Sequence, residues 1–418
     1  MKEIIIISIM HYMAIGEIYK LQLETITQGG EALGRINGKP VFIEGGAPNE
    51  TVVCCITEER NTWSRAKLLE ITEPSPVRTE SICSFYGKCG GCNLSHIDYN
   101  AQLNIKVSIL GESFRRIGGI NPPEIEVFSS PPYEYRNRMQ FHCLRQAAKS
   151  EGIGFGLKGR ASGEIIPVTD CPIAVSDIRE KIKPSSSSAV SAPQRLCESS
   201  FRIPPEKDRF TVFAKDGVFF NEGGQQRGNI KLLNKEITID AGLFFQSNCF
   251  MLEKLIIELQ KITEQADRTL DMADLYCGVG TFALFLGGMF PKVILAEENK
   301  MAVSLSRENL KRINGLNSAE FYALRDTNWP ECLKWSNLGF IIADPPRAGL
   351  STKLTEALIK YAKDQKGHFI FAYVSCDSSS LARDSKILLK GGYRLKELKL
   401  FDFYPQTSHI ESLAVFEI

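Results

Sequence analysis

A cysteine that ends an apolar run can be inert packing or a nucleophile, and Cys376, after Phe369 to Ser375, is such a residue. It stands after the fifth strand of an alternating strand and helix pattern. Earlier strands of that pattern deliver other reactive groups. The run Asp271 to Tyr276 enters Cys277-Gly-Val-Gly-Thr281 and then a helix, and Glu297 follows about twenty residues later at the next strand end. Glycine amides at a helix start, with a carboxylate able to bind ribose hydroxyls, suit a nucleoside. Because Phe282-Ala-Leu follows instead of a third glycine, S-adenosylmethionine is preferred to NAD. The fourth strand ends in Asp344-Pro-Pro-Arg-Ala-Gly349, whose prolines stiffen the turn that carries Asp344.

Carbon 5 of a pyrimidine is too weak a nucleophile to take a methyl group. A thiolate added at carbon 6 turns it into an enolate carbon, which can. Release then needs a base for the carbon 5 proton. The loop Thr407-Ser408-His409-Ile410-Glu411 supplies His409 and Glu411, and spacing alone does not choose between them.

A second cluster of thiols lies upstream. Cys83, Cys89 and Cys92 fall within ten residues, separated by glycines, and Cys171-Pro172 is a fourth donor. In a chain without a secretory signal, such thiols read as metal ligands. The spacing suits an iron-sulfur cluster, although four thiolates also hold zinc. Cys54, Cys55, Cys143, Cys197, Cys249, Cys277 and Cys332 read as small core residues. From Arg136 to Arg160, six basic residues (Arg136, Arg138, Arg145, Lys149, Lys158, Arg160) face one acid, Glu151, with Phe141 and Phe155 interleaved. Phosphate contacts and base stacking would use such a surface.

The elements that position these groups are legible over 418 residues. Short alternating runs with glycine turns from 16 to 77 predict a small closed β-barrel. Residues 78–240 read as a β-rich central domain that also holds a helix over 98–117 and the low-complexity stretch 184–193. Residues 241–418 read as a doubly wound α/β domain, with a helix over 248–266 before the sheet. Its strands are expected near 270–276, 293–297, 319–324, 339–343 and 368–375, its helices near 279–288, 300–313, 352–362 and 378–390, and two strands close the chain. With 50 Lys+Arg against 49 Asp+Glu, net charge names no partner. The brief run Ile4 to Ile9 is too short for a spanning helix, so the expectation is a cytoplasmic protein with reduced thiols, and residues 1–15 read as a disordered or over-extended start.

Cys89-Gly-Gly-Cys92, His96-Ile-Asp-Tyr99, Tyr135-Arg-Asn-Arg138, Phe244-Phe-Gln-Ser-Asn248, Asp274 to Gly280, Asp344 to Gly349, Val374-Ser-Cys-Asp377 and His409-Ile-Glu411 together resemble the uracil-5 RNA methyltransferases. The branch they resemble carries an N-terminal TRAM domain, an OB-like barrel, and a [4Fe-4S] cluster. The resemblance runs from about Gly16 to Ile418. It implies a Rossmann-like methyltransferase domain, Cys376 as nucleophile and Glu411 as base. It also implies an S-adenosylmethionine pocket lined by Gln246, Tyr276, Glu297 and Asp344, and cluster ligation by Cys83, Cys89, Cys92 and Cys171. Gln246 and Tyr276 enter on this ground alone. The implied partner is RNA, ribosomal rather than transfer RNA, acted on by a monomer away from membranes. Two positions depart from the pattern. Asp377-Ser378 replaces Asn-Pro after the nucleophile, which should raise the thiol pKa unless the charge is directed away, and Ser408 replaces a proline, which should loosen the base loop. Other readings of the same residues are an exocyclic-amine methyltransferase, in which Cys376 is dispensable, and a non-catalytic RNA-binding factor.

Overall fold

The computed structural model describes residues 13–144, 154–160, 163–183, 207–313, 316–333, 335, 337–364 and 369–418. The stretch 184–193, Cys197, Arg145, Lys149, Glu151 and residues 1–12 lie outside the described residues. The rest forms two compact units. One takes in the described residues to Gly87 with Cys92–Ile105 and Gln406–Ser408; the other takes in Lys88–Gly91, Lys106–Pro405 and His409–Ile418.

In the first unit, five strands close a barrel: Ile18–Ile26, Ala32–Ile36, Lys39–Ile43, Thr51–Glu59 and Ser64–Glu73. Alternation does the work, because Val52, Cys54 and Ile56 point inward while their neighbours keep solvent contact. Gly34 is required by the closure: a Cβ there would lie 2.2 Å from Leu21 Cδ1. The same unit holds Ser408, whose N–H donates to Asn93 Oδ1 at 2.8 Å while its Oγ accepts from Asn93 Nδ2 at 3.0 Å. A proline has no N–H to give, so serine adds a tether at 408 that works against the expected loosening.

The second unit is built on an eight-stranded sheet in the order Ser318–Ala323, Lys292–Glu297, Asp271–Leu275, Leu338–Ala343, Ile370–Ser375, Glu411–Glu417, Arg394–Phe401, Ile125–Phe128. The first five strands are parallel, as the alternation requires; Glu411–Glu417 runs antiparallel to both of its neighbours. Helices Thr281–Leu286, Lys300–Leu310, Thr352–Asp364 and Ser378–Lys390 make the crossovers, each within a few residues of its expected span. A five-stranded sheet drawn from Arg138 to Asn221 and the hairpin Arg227–Leu232 with Lys235–Asp240 complete the unit.

Three expectations are corrected by burial. Phe141 and Phe155 are core residues, packed with Phe210 at ring separations of 4.9 to 6.0 Å, so they are not base-stacking platforms. The strand's own period explains this: Met139 and Phe141 share the inner face, Arg138, Gln140 and His142 the other. Cys332 is exposed, since it ends the one-turn surface helix Trp329–Cys332. In helix Tyr99–Ser113, Lys106 is fully buried, whereas Leu103 and Val107, which share with Leu110 and Phe114 the three- and four-residue spacing that predicts an inner face, are only half-buried. Its ammonium donates to Asp402 Oδ1 at 2.6 Å and to the Tyr404 carbonyl at 3.0 Å, which makes burial of the charge tolerable.

Candidate active site

The C-terminal strand ends of the eight-stranded sheet open into a cavity of about 910 Å³. Gln246, Tyr276, Glu297, Asp344, Cys376, His409 and Glu411 all line it.

The glycine turn forms one wall. Tyr276 leaves its strand at φ +59, a conformation that costs a non-glycine residue free energy and recurs at functional sites. Its hydroxyl donates to Asp326 Oδ2 at 2.8 Å and its ring meets Trp329 edge-on at 4.7 Å, so the strained backbone is held from the side chain. Gly278 follows at φ +52 with open space where a Cβ would stand. Its N–H donates to Glu297 Oε2 at 3.3 Å, and Glu297 Oε1 accepts from Asn299 N–H at 2.7 Å. Beneath the turn, Asp274 is buried with Oδ2 accepting from Ala283 N–H at 2.9 Å, and burial pushes its pKa up to about 8.

Strand order sets the opposite wall. Leu275 pairs with Ala343, so Asp344 emerges beside Tyr276. Ser375 pairs with Ser412 across an antiparallel ladder, so the next residues outward, Cys376 and Glu411, face each other at the strand ends. No spacing in the chain announces this pairing. Register makes it.

Electrostatics in the cavity favour protonated acids. Burial pushes the Asp344 carboxyl up to about 7. Glu411 is 2% exposed and lies well above the usual carboxylate range through burial and the nearby Asp344, with Arg347 opposing. Cys376 is pushed up to about 12 by burial, then by Glu411 and Asp344, again with Arg347 opposing. The packing around His409, together with Arg347, Lys106 and Arg136, lowers it to about 4, so it is neutral at physiological pH. Asp377 is not among the main causes of the Cys376 shift. Its Oδ1 accepts from Ser380 N–H at 2.8 Å and caps helix Ser378–Lys390, so its charge is directed into the helix start.

Two buried acceptors in this cavity have no partner, Gln246 Oε1 and Glu411 Oε1, while Gln246 Nε2 reaches Asp344 Oδ2 only at 3.5 Å. Orphaned polar atoms of this kind await a ligand's donors, and with the open glycine turn and Glu297 they fit a nucleoside cofactor. Sequence reasoning gave no role to Asp326 or Arg347 and placed Arg136 and Arg138 only on a basic surface for phosphate contacts, yet all four line the cavity. Asp326 was within reach of the rule that found Glu297, since it follows the strand Ser318–Ala323 by three residues. The arginines lay inside quoted motifs, but nothing in spacing says which way they point.

The cysteine set is different. Among the described residues no three or more His, Cys, Asp or Glu side chains form a group that could hold a metal ion. Cys83 and Cys92 belong to the first unit, Cys89 and Cys171 to the second. Zinc and an iron-sulfur cluster would each need these sulfurs gathered around one centre, so the structure supports neither over the other. The cluster assignment rests on sequence spacing alone.

A glycine turn, strand-end acids and this strand order define an S-adenosylmethionine-dependent methyltransferase domain, joined in one chain to a small closed barrel. Residues 229–417 match the family described as tRNA (uracil-5-)-methyltransferase, and residues 14–69 match the TRAM domain. A protein of Treponema denticola named an uncharacterized RNA methyltransferase is 32% identical, the match covering 91% of this chain and 94% of that one. A Vibrio parahaemolyticus protein named 23S rRNA (uracil(1939)-C(5))-methyltransferase RlmD is 28% identical, with 95% of each chain covered. The solved structure of Pyrococcus abyssi tRNA (uracil-54, C5)-methyltransferase with S-adenosyl-L-homocysteine shares the fold at a TM-score of 0.67 and 21% identity, covering 95% of this chain and 100% of that one. The chain belongs to the RNA uracil-5-methyltransferase family, in the form that carries a TRAM domain.

Proposed function

We propose that this enzyme methylates carbon 5 of a uridine in ribosomal RNA through a covalent adduct on Cys376, with Glu411 as the base. The observation that carries the reading is the strand register that sets Cys376 opposite Glu411 in a cavity shared with Asp344, Tyr276, Glu297 and Gln246. Ribosomal RNA is favoured over transfer RNA because the relatives named for 23S rRNA are 28% and 29% identical along nearly the whole chain, against 21% for the transfer-RNA enzyme.

Cys376 adds to carbon 6 of the uracil, forming a C–S bond and moving the electron pair of the 5,6-double bond to carbon 5 as an enolate. That carbon would take the methyl group carried by the sulfonium of S-adenosylmethionine, whose charge would offset the carboxylates that raise Cys376; the S–CH3 bond breaks as the C–CH3 bond forms, and neutral S-adenosylhomocysteine leaves. Glu411 then takes the carbon 5 proton, the C–S bond breaks, and Cys376 leaves as thiolate while the double bond re-forms. Gln246, Tyr276, Glu297 and Asp344 hold the cofactor in this reading, with the barrel 16–77 gripping RNA, 78–240 carrying the cysteine set and 241–418 transferring the methyl group. A target uridine inside a stem must be flipped out to meet Cys376.

The test is a trap. Protein incubated with S-adenosylmethionine and total RNA containing 5-fluorouridine is expected to form a covalent complex that depends on Cys376, since fluorine leaves no proton for the base to take. Sequencing the attached RNA names the target; attachment to transfer RNA would overturn the ribosomal assignment, and no complex despite intact RNA binding would overturn the thiolate route.

Cys83, Cys89, Cys92 and Cys171 enter the proposal as cluster ligands on their number, spacing and thiolate chemistry, and no catalytic step passes through them. Anaerobically purified protein is expected to hold about four iron and about four sulfide per chain. Stoichiometric zinc, or no metal, would remove the cluster from this reading.

A further inference from the structure

The cofactor turn is gripped from behind by a side chain that does not line the cavity. Asn309, in the last turn of helix Lys300–Leu310, is fully buried. Its Nδ2 donates to the Val279 carbonyl at 2.9 Å and to the Thr238 carbonyl at 3.0 Å. Its Oδ1 accepts from the Thr238 N–H at 2.8 Å and from Arg312 Nη1 at 2.9 Å. The amide thus uses both donors and both acceptor positions. The Val279 carbonyl belongs to the last peptide of the Cys277–Gly280 turn, whose Gly280 N–H donates to the Cys277 carbonyl at 2.8 Å.

A second contact joins the same helix to the same turn. Gly280 stands at φ +81, and a Cβ there would lie 2.9 Å from Ser306 Cβ and 3.1 Å from Leu310 Cδ1. The Ser306 and Leu310 side chains therefore pack directly on the turn backbone, which has no room for a side chain of its own at 280. The third member is the hairpin strand Lys235–Asp240, whose Thr238 is bonded by Asn309 in both directions and by Arg312 Nη2 to its Oγ1 at 2.7 Å. A turn rich in glycine has conformations to spare. Asn309 removes that freedom by fixing one peptide plane of the turn to two neighbouring elements.

We propose that Asn309 is a positioning residue for S-adenosylmethionine: it holds the Val279–Gly280 peptide so that the turn, with its Gly278 amide tied to Glu297, is set for the nucleoside before the nucleoside arrives. The inference rests on the reading that this turn and Glu297 hold the cofactor. Because Asn309 touches neither cavity nor reacting atoms, its loss weakens cofactor binding and leaves the chemical step alone.

The test uses the full chain carrying N309A or N309D. The aspartate is nearly the same size and keeps an acceptor for Thr238 and Arg312 while losing the donor to the Val279 and Thr238 carbonyls, and a melting curve of each variant establishes that it is folded before affinity is read. Calorimetric affinity for S-adenosylhomocysteine and KM for S-adenosylmethionine are each expected to weaken about tenfold, the effect of orphaning a buried carbonyl. Saturated kcat and KM for RNA are expected to stay within about twofold, a split that general destabilisation does not produce. Unchanged S-adenosylhomocysteine affinity, or a fall in kcat without a change in KM for the cofactor, overturns the proposal. E297A distinguishes the two ways of failing: if it loses affinity while the Asn309 variants do not, only the positioning role is wrong, and if it too binds normally, the cofactor reading falls with it.

Discussion

Replacing Cys376 with alanine is expected to abolish methylation, by on the order of 10⁴-fold or more, while leaving RNA affinity within about twofold of the parent. The size follows from what is removed. Without a thiolate at carbon 6, carbon 5 has no enolate character, and no other group in the cavity supplies it: Asp344 and Glu411 are poor carbon nucleophiles held toward their protonated forms. Binding survives because Cys376 is one small side chain in a wall of about 910 Å³. Methylation rates and filter-binding affinities measured on the same preparation decide the matter. Retained methylation by the alanine variant would point instead to an exocyclic amine recognised by Asp344-Pro-Pro, and lack of activity in both proteins would favour a non-catalytic RNA-binding role.

Glu411→Gln carries the second large effect, and its sign differs. The adduct should form and methyl transfer should follow, but the carbon 5 proton then has no acceptor. Turnover is expected to drop about 10²- to 10⁴-fold while a covalent protein–RNA complex accumulates on ordinary, unfluorinated RNA. His409 is the competing base, and its behaviour separates the two. It is lowered to about 4 and neutral across the working range, so if it were the base, H409A would accumulate the adduct and the Glu411 variant would not.

The pH dependence follows from the same groups. Cys376 and Glu411 must both be deprotonated to act, and both are raised, Cys376 to about 12. The Cys376 thiolate is therefore the minor form at neutral pH and the Glu411 carboxylate forms at higher pH than an ordinary one, so the rate should climb as pH rises from 6 to 9. Because Glu411 is one of the charges that raise Cys376, its replacement by glutamine should move adduct formation to lower pH. Gel-resolved adduct against pH measures this directly; an adduct profile identical to that of the parent would mean that Glu411 does not act on the thiol.

Alternation of polar and apolar residues determined the barrel and the parallel sheet, because strand and helix periods are local properties of the chain. Strand ends in turn determined where Glu297, Asp344 and Cys376 would emerge, since each follows an apolar run that stops at the same sheet edge. The meeting of Glu411 with Cys376, which supports Glu411 as the proposed base, had to wait for the antiparallel register of Ser375 with Ser412, which depends on two strands more than thirty residues apart. The benign role of Asp377 waited likewise, for a carboxylate beside a nucleophile raises its pKa or caps a helix according to a rotamer that composition does not encode. Lys106 and Phe141 teach the same lesson in opposite directions. A charged residue is buried where a distant Asp402 meets it, and an aromatic in a basic stretch is core where the pleat turns it inward. What the chain specifies locally is which groups reach an edge; which of them then meet is a long-range matter of strand order and register, and the chemistry depends on that meeting.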